Sequence, residues 1–550
     1  MSGRMGKQLF FLVVVVCMLC IACRGREEID DEAIKEENKP EKLVVYINGS
    51  PNTIESQYVS DEFYPTNYTI GPRHINGIPE ASGGNVFQTI LEEYEEKTGI
   101  NIEIYYLDDP GVDERYALQE LYETGQDMPD LVIANKYHQY DYYNMAKQGL
   151  LLDVSPYISN DDEKQDDELY FKRILDDGKI YGKQYIIPLT FNINALITSD
   201  SYLNEIGFQI SESQVDYEEI IYLLKHSCME MVNSKGKEAI YESSGTFNGQ
   251  YIMGIMLSAA YDDYFDDEVN STFISEEVLT SIFQVMELYI QQEYTNLYGY
   301  ENLTYDQLRN SGESKKMYIN TMLSGQDESI GIFLTGGRGG GSNISHNVIL
   351  DAVYFNSKFK ERNEEMIFVP IPTYDESDAY SANVETFMFS FSDCAYPEAI
   401  YDLMSYLMEY DLGIEMGLSI SREITEKQLN EAQNTFLTIA PNESSWANMM
   451  LGLVSREEIL ESMEELKPLD SNYIDSIRSA LNNLSGAGLP YYPLEGLIFR
   501  RALEDIGEGQ RSPSEAAVWS ISKIEERLNL MESNIAFYDE TYEFSLLGID

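Results

Sequence analysis

The chain has 550 residues, of which 43% are hydrophobic, and a formal net charge of −58 at pH 7. This chain is longer than a domain with a single hydrophobic core usually is, so we expect two domains or one two-lobed body with a packed interior. A surface this acidic repels nucleic-acid phosphates and anionic lipid headgroups, which excludes a general role in nucleic-acid binding. The acidity favours solubility and identifies no binding partner.

The first 22 residues have the pattern of an export signal. The stretch MSGRMGKQ carries two positive charges, and an apolar run from Leu9 to Ala22 follows it. This run is shorter than the roughly 20 residues that cross a bilayer, and it suits the apolar region of a secretory signal. We therefore expect residues 1–22 to be a signal peptide and the body of the protein to lie outside the cell.

The residues CIAC at positions 20–23 resemble the cleavage box of bacterial lipoproteins, in which a small residue precedes a lipid-bearing cysteine. Ala22 and Cys23 fit the box, whereas Cys20 stands where leucine is usual. The resemblance implies cleavage before Cys23 and a diacylglyceryl anchor on its sulfur, which holds the protein on the outer face of the cell membrane. An uncleaved anchor and a plain secreted protein are the alternatives. Residues 23–41 are charged and lack aromatics, so we expect a disordered acidic tether.

The remaining cysteines and the histidines have no metal-binding pattern. Cys228 and Cys394 lie far apart in the sequence, and we expect two buried free thiols. The four histidines lack the spacing of a metal site, and the acidic runs lack the positions of a calcium loop. We expect neither a metal nor a cofactor.

Strands and helices alternate after the tether. The order is a strand in KLVVYI, a helix in VFQTILEEYEEKT that ends at Gly99, a strand in INIEIYY, a helix in DERYALQELYETGQ and a buried strand in PDLVIAN. This alternation indicates a parallel α/β sheet. The acidic run NDDEKQDDE at 160–168 is predicted to be a solvated loop.

The rest of the chain predicts crossings between two halves. DGKIYGKQYIIPL is a hairpin leading into a long extended segment, and the region up to about residue 330 is mainly helical. EEMIFVPIPT and NVETFMFSF are strands that lead back. The helix after them has Pro397 in its first turn, and the final helix is capped by Ser512 with Pro513 in the first helical position. No Pro- or Ser-rich linker separates the halves, so we expect two lobes joined by crossing strands.

Six motifs occur in an order similar to that of the extracellular solute-binding proteins of ABC importers, in particular the carbohydrate-binding group, family 1. They are FQTILEEYEEKTGINIEIYYL, MPDLVIAN, QGLLLDVSPYI, DGKIYGKQYIIPL, AIYDLMSYLMEYDLGIEM and GEGQRSPSEAAVWSISKIEERL. The resemblance covers most of residues 43–530. A long insertion around residues 260–320 departs from compact members of the family.

The resemblance implies an α/β fold of the periplasmic-binding-protein type, with two lobes, crossing hinge strands and a ligand cleft between the lobes. It divides the chain into an N-terminal lobe of 42–188 plus 384–440 and a C-terminal lobe of 189–383 plus 441–550. Such a protein is not an enzyme. It closes on a sugar or oligosaccharide by hinge rotation and delivers it to a membrane permease. We expect a monomer.

Candidate ligand contacts follow from the rule that ligands of open α/β sheets lie beyond the carboxyl ends of the strands. Polar side chains there bind hydroxyls, and aromatic ones stack on sugar rings. The candidates at or just past strand ends are Tyr46, Asn48, Asn135, Tyr137, Phe191, Asn192, Asn194, Gly337, Arg338 and Glu385, with Trp446 as a stacking platform. For each residue, support of a loop or of the core is the alternative.

Two other functions stay open. A secreted glycosidase would need two carboxylates facing a cleft about 5–10 Å apart, and acidic residues are abundant in this chain. A surface sensing or adhesion lipoprotein would use the same fold to report ligand occupancy to a partner protein. A turnover assay on glycans separates the receptor from the glycosidase, because a receptor binds without forming product.

Overall fold

The computed structural model describes a large part of the chain with gaps between the described ranges. The described residues are 39–47, 86–106, 118, 121, 124, 127–135, 142–205, 207–209, 215–235, 256–257, 265–266, 271–272, 274–296, 333–334, 348–349, 352, 356, 360, 365–374, 379–413, 416–434, 437–439, 464–466, 468–488, 493–507 and 509–530.

The described residues form a mixed α/β architecture. The strands are β1 (Lys42–Ile47), β2 (Asn101–Tyr106), β3 (Leu131–Asn135), β4 (Lys179–Ile180), β5 (Lys183–Gln184), β6 (Ile186–Ile193), β7 (Ala195–Ser199), β8 (Phe265–Asp266), β9 (Ser271–Thr272), β10 (Phe333–Leu334), β11 (Met366–Pro370), β12 (Tyr380–Phe389), β13 (Leu418–Ser419), β14 (Leu437–Ile439), β15 (Glu464–Leu466) and β16 (Leu484–Gly488). The helices are α1 (Val86–Thr98), α2 (Tyr142–Lys147), α3 (Ser155–Ile158), α4 (Lys172–Asp176), α5 (Asp200–Glu205), α6 (Tyr217–Lys235), α7 (Glu276–Asn296), α8 (Pro397–Met408), α9 (Arg422–Asn434), α10 (Ser471–Asn482), α11 (Pro493–Gly507) and α12 (Pro513–Leu530).

The largest of the described sheets has seven strands. Its order is β13-β6-β12-β3-β1-β2, and β16 also pairs with β12. Strands β1, β2 and β3 run parallel, whereas β12 runs antiparallel to both β3 and β6. The residues of β6 are all buried, as expected for a strand in the interior of a covered sheet. The parallel arrangement predicted from the alternating pattern is confirmed for β1, β2 and β3, whereas β12 and β13 make the whole sheet mixed.

A second sheet of three strands has the order β10-β7-β11. The chain enters it directly from β6, because β7 begins two residues after β6 ends. It returns from β11 through Ile371 to β12, which belongs to the first sheet again. The predicted architecture of two α/β units joined by crossing strands is therefore confirmed. The lobe boundaries proposed from the resemblance stay a prediction.

Helix ends follow the local sequence signals. Gly99 has a left-handed φ of 68° and donates its amide to Glu95 at the end of α1, a conformation that glycine adopts without strain. Pro397 opens α8. At α12, Glu515 N donates to Ser512 Oγ and Ser512 N donates to the Glu515 carboxylate, which is a reciprocal capping box. All three predicted helix signals are confirmed.

The acidic run at 160–168 differs from the expected solvated loop at one residue. Lys164 is only 1% exposed, and its ammonium group donates to Glu409 Oε1 at 2.6 Å and to the Tyr170 hydroxyl at 2.7 Å. Burial alone lowers the pKa of Lys164, but the hydrogen bonds to Glu409 and Tyr170 outweigh it and hold the pKa above its usual value. The run is therefore anchored to the end of α8 through its single lysine.

Of the two expected free thiols, Cys394 is free and half-buried, and the side chain of Cys228 lies outside the described residues. No helix in the described part of the chain combines the length and apolarity that a membrane span requires.

Replacing Glu409 should destabilise the protein more than replacing Lys164, although Glu409 is the more exposed partner. Glu409→Ala leaves a buried ammonium group without its carboxylate, which costs about 2–3 kcal/mol. Lys164→Met removes the buried charge and leaves Glu409 in contact with water, at a cost of about 1 kcal/mol. Urea denaturation of the two variants measures the difference, and a greater loss in Lys164→Met would contradict the assignment.

Candidate functional site

The strand directions place several carboxyl ends at one edge of the large sheet. Since β12 is antiparallel to both β3 and β6, β6 runs in the same direction as β1, β2 and β3. Ligands of open α/β sheets lie at this kind of edge. The edge is also where β6 passes into β7 and the second sheet, so it borders both halves of the fold.

The strand register brings three of the candidate residues to this edge. Asn135, the last residue of β3, pairs with Thr386 of β12, and Thr386 pairs with Thr190 of β6. Glu385 precedes Thr386 directly, and Asn192 lies two residues beyond Thr190. We call Asn135, Asn192 and Glu385 the polar junction.

Asn192 is the most informative member of the polar junction. Its side chain is 2% exposed, and its Oδ1 accepts a hydrogen bond from Val348 N at 3.3 Å. No acceptor among the described residues lies within hydrogen-bonding distance of its Nδ2. A buried amide donor without an acceptor costs free energy, so this atom indicates a position where a ligand oxygen would be stabilising. The sequence predicted Asn192 just past the strand, whereas β6 extends to Ile193 and contains it.

Glu385 lies at an irregularity of β12. Val384 pairs with Phe191 and Thr386 pairs with Thr190, so Glu385 is an extra residue on its strand. Such a bulge redirects side chains and is frequent beside functional sites. Glu385 is 4% exposed, which places a carboxylate in the interior next to the segment that carries Asn192. Its predicted position on the return strand is confirmed.

Tyr46 lies far from Asn192 in the sheet. It pairs with Val132 of β3, which pairs with Phe389 and, through it, with Ile186 of β6. Asn192 lies six residues beyond Ile186, and six residues of strand span about 20 Å. Tyr46 packs instead against Tyr105 of β2, with ring centroids 5.2 Å apart.

Two further candidates have structural contacts. Phe191 is fully buried, and its ring packs edge-on against Phe171 with centroids 5.2 Å apart. Asn194 is buried between β6 and β7, where its Nδ2 donates to Ser381 Oγ at 2.9 Å and its Oδ1 accepts from Asn383 Nδ2 at 2.6 Å. Sequence reasoning missed Ser381 and Asn383, although Asn383 is the first residue of the predicted return strand NVETFMFSF and Ser381 lies two residues before it.

The other predicted positions fall outside the described residues. They are Asn48, Tyr137, Gly337, Arg338 and Trp446, together with the lipidation site Cys23. In the described part of the chain, no group of His, Cys, Asp and Glu side chains is arranged to hold a metal ion.

Comparison with known proteins gives one family match. Residues 78–313 match the family model of bacterial extracellular solute-binding proteins, which is a family of transport receptors and not of enzymes. No match was found among curated proteins.

Several solved structures are similar at low identity. An ABC substrate-binding protein from Listeria monocytogenes in complex with cycloalternan is 14% identical, with 89% of this chain and 99% of that chain covered and a TM-score of 0.46. A periplasmic oligogalacturonide binding protein from Yersinia enterocolitica is 13% identical, with 89% and 99% covered and a TM-score of 0.48. The GacH receptor of Streptomyces glaucescens, solved unliganded and with acarbose, is 12% identical, with 90% and 99% covered and a TM-score of 0.43.

The same substitution at two nearby asparagines should have different effects on the ligand-free protein. Asn192→Leu removes the cost of an unpartnered buried donor but leaves the buried Val348 N without its acceptor, so the two effects partly cancel. The free energy of unfolding should change by less than about 1 kcal/mol. Asn194→Leu removes two hydrogen bonds and leaves buried polar partners, which costs about 2–3 kcal/mol. Thermal unfolding of both variants checks this, and equal losses would show that Asn192 is part of the internal scaffold.

Proposed function

We propose that this chain, which over residues 78–313 resembles bacterial extracellular solute-binding proteins, is the substrate-binding component of an ABC transporter. It is held on the outer face of the cell membrane by a lipid on Cys23. It binds a sugar or oligosaccharide by hinge closure and delivers it unaltered to the permease subunits in the membrane.

The two-sheet architecture supports a closing mechanism. The sheets are joined where β6 continues into β7 and where β11 returns to β12. A ligand that contacts both halves only in the closed form shifts the population toward that form by its difference in affinity. Rotation about short crossing segments is a common way to obtain such closure.

The unpartnered Nδ2 of Asn192 is the observation that carries the proposal. An amide N–H donates to a hydroxyl oxygen, and the buried Glu385 carboxylate accepts from a hydroxyl hydrogen. A donor on β6 and an acceptor on the adjoining strand β12 suit a ligand rich in hydroxyl groups, since each hydroxyl both donates and accepts. We propose Asn48, Asn135, Tyr137, Gly337, Arg338 and Trp446 as further contacts and keep Tyr46 as a more distant candidate.

A thermal-shift screen of the exported chain tests this proposal. The panel contains neutral sugars and oligosaccharides, peptides and polyamines. A ligand at 100 times its Kd adds about 2.7 kcal/mol to the free energy of unfolding, and we expect that gain from a saccharide. Asn192→Leu should lose the gain while its ligand-free melting temperature stays near that of the wild type.

Product analysis completes the screen. The saccharide should be recovered intact after incubation, because the chain binds and does not convert its ligand. Stabilisation by peptides or polyamines alone would contradict the carbohydrate assignment, and a cleaved glycan would establish the glycosidase alternative.

The lipid anchor is tested separately. In cells given a labelled fatty acid, the wild-type chain should carry the label and fractionate with membranes, whereas Cys23→Ala should carry none and appear in the soluble fraction. Cys394→Ala is the matched control, because that half-buried thiol lies within the folded body and its removal should leave labelling unchanged. Labelled Cys23→Ala would contradict the anchor.

A further inference from the structure

Three backbone hydrogen bonds form a closed ring where the chain crosses between its sheets. Asn194 N donates to Ser381 O at 3.0 Å, Ser381 N donates to Ile371 O at 3.0 Å, and Ile371 N donates to Asn194 O at 2.8 Å. Each residue therefore donates once and accepts once within the ring. We call Asn194, Ile371 and Ser381 the crossing ring.

A chain of side-chain hydrogen bonds reinforces the crossing ring. Asn383 Nδ2 donates to Asn194 Oδ1 at 2.6 Å, Asn194 Nδ2 donates to Ser381 Oγ at 2.9 Å, and Ser381 Oγ donates to Ile371 O at 3.4 Å. The three ring residues are at most 1% exposed. Water therefore cannot replace these bonds when they break, and each buried group left unpaired would carry its full desolvation cost.

Strand β16 also contacts the chain at the crossing ring. Strand β16 pairs with β12 so that Gly486 lies beside Ser381, and Tyr380 N donates to Asn483 O at 2.8 Å. After β16 the chain continues into α11, which packs against α7 and α12. The two crossings and this third segment are therefore tied together around Ser381.

We propose that Asn194 and Ser381 are positioning residues that make the crossing ring a fixed pivot for closure. This inference rests on the proposed function. The crossing ring stays intact in the open and closed forms, and the rotation occurs in the segments on either side of it. Neither residue contacts the ligand.

The fixed pivot affects ligand binding through the position of Asn192. Asn192 lies near the end of β6, two residues before Asn194 along the chain, so a fixed ring holds its amide in one orientation during closure. The ligand then meets a donor that is already in place, and binding does not have to order it. Loosening the ring should weaken ligand binding without removing any ligand contact.

Hydrogen exchange of the ligand-free full chain tests the pivot without a ligand. The amides of the crossing ring should exchange as slowly as those paired between β6 and β12. Ser381→Ala removes the hydroxyl that accepts from Asn194 Nδ2 and donates to Ile371 O. Exchange in residues 186–199 and 366–389 should become about tenfold faster. Fast exchange in the wild type would overturn the fixed pivot.

A matched control separates the pivot from general destabilisation. Thr425 is also buried, and its Oγ1 donates to Ser419 O at 2.7 Å. Ser419 lies on β13, which pairs with Thr190 and Phe191 of β6 but with none of the crossing-ring residues. Thr425→Val removes a buried hydroxyl as Ser381→Ala does, but it should leave exchange at the crossing unchanged. Equal acceleration in both variants would reduce Ser381 to an ordinary stabilising residue and overturn the proposal.

Ligand affinity completes the test with the saccharide found in the screen. Ser381→Ala should raise its Kd about tenfold, equivalent to about 1.4 kcal/mol, while Thr425→Val should leave the Kd unchanged. Wild-type affinity in Ser381→Ala, with affinity lost in Asn192→Leu, would overturn the positioning role alone. A slow-exchanging ring in a chain that binds no saccharide would support the pivot and contradict the proposed carbohydrate ligand.

Discussion

The fold depends on the way the chain passes between two sheets with almost no linker. One residue, Asn194, separates β6 from β7, and its backbone is bonded to both segments of the return crossing. A crossing this short leaves little room for the halves to separate or slide, which agrees with the proposed closure by rotation. In the proposed closure, the polar junction lies beside the axis of that rotation, where a bound molecule meets residues that the crossing ring holds in place.

Charge is distributed very differently at the surface and at the crossing. The chain carries a large excess of acidic residues, and solvent screens most of their mutual repulsion. At the crossing, neutral amides and a serine hydroxyl supply the hydrogen bonds, and Glu385 adds one buried carboxylate. Neutral amides are suited to a pivot because their bonds need no charge partner and do not titrate near neutral pH.

The sequence predicted the elements better than their register. The alternation of strands and helices, the caps at Gly99 and Ser512 and the crossing after the hairpin all follow from local patterns, and the structure has them. The separation of Tyr46 from Asn192 depends on how parallel strands align, which side-chain periodicity does not specify. The bulge at Glu385 and the burial of Lys164 within an acidic run likewise come from tertiary packing.

The NMR signal of the Asn192 side-chain amide tests most directly whether the ligand binds at the crossing between the sheets. Selective ¹⁵N-asparagine labelling, with Asn192→Leu to identify the resonance, observes this group by NMR before and after ligand is added. We expect the chemical shifts of the Asn192 side-chain amide to change at saturation with the saccharide, because Nδ2 gains an acceptor. A ligand that stabilises the protein while these resonances stay in place would contradict a binding site at the crossing between the sheets.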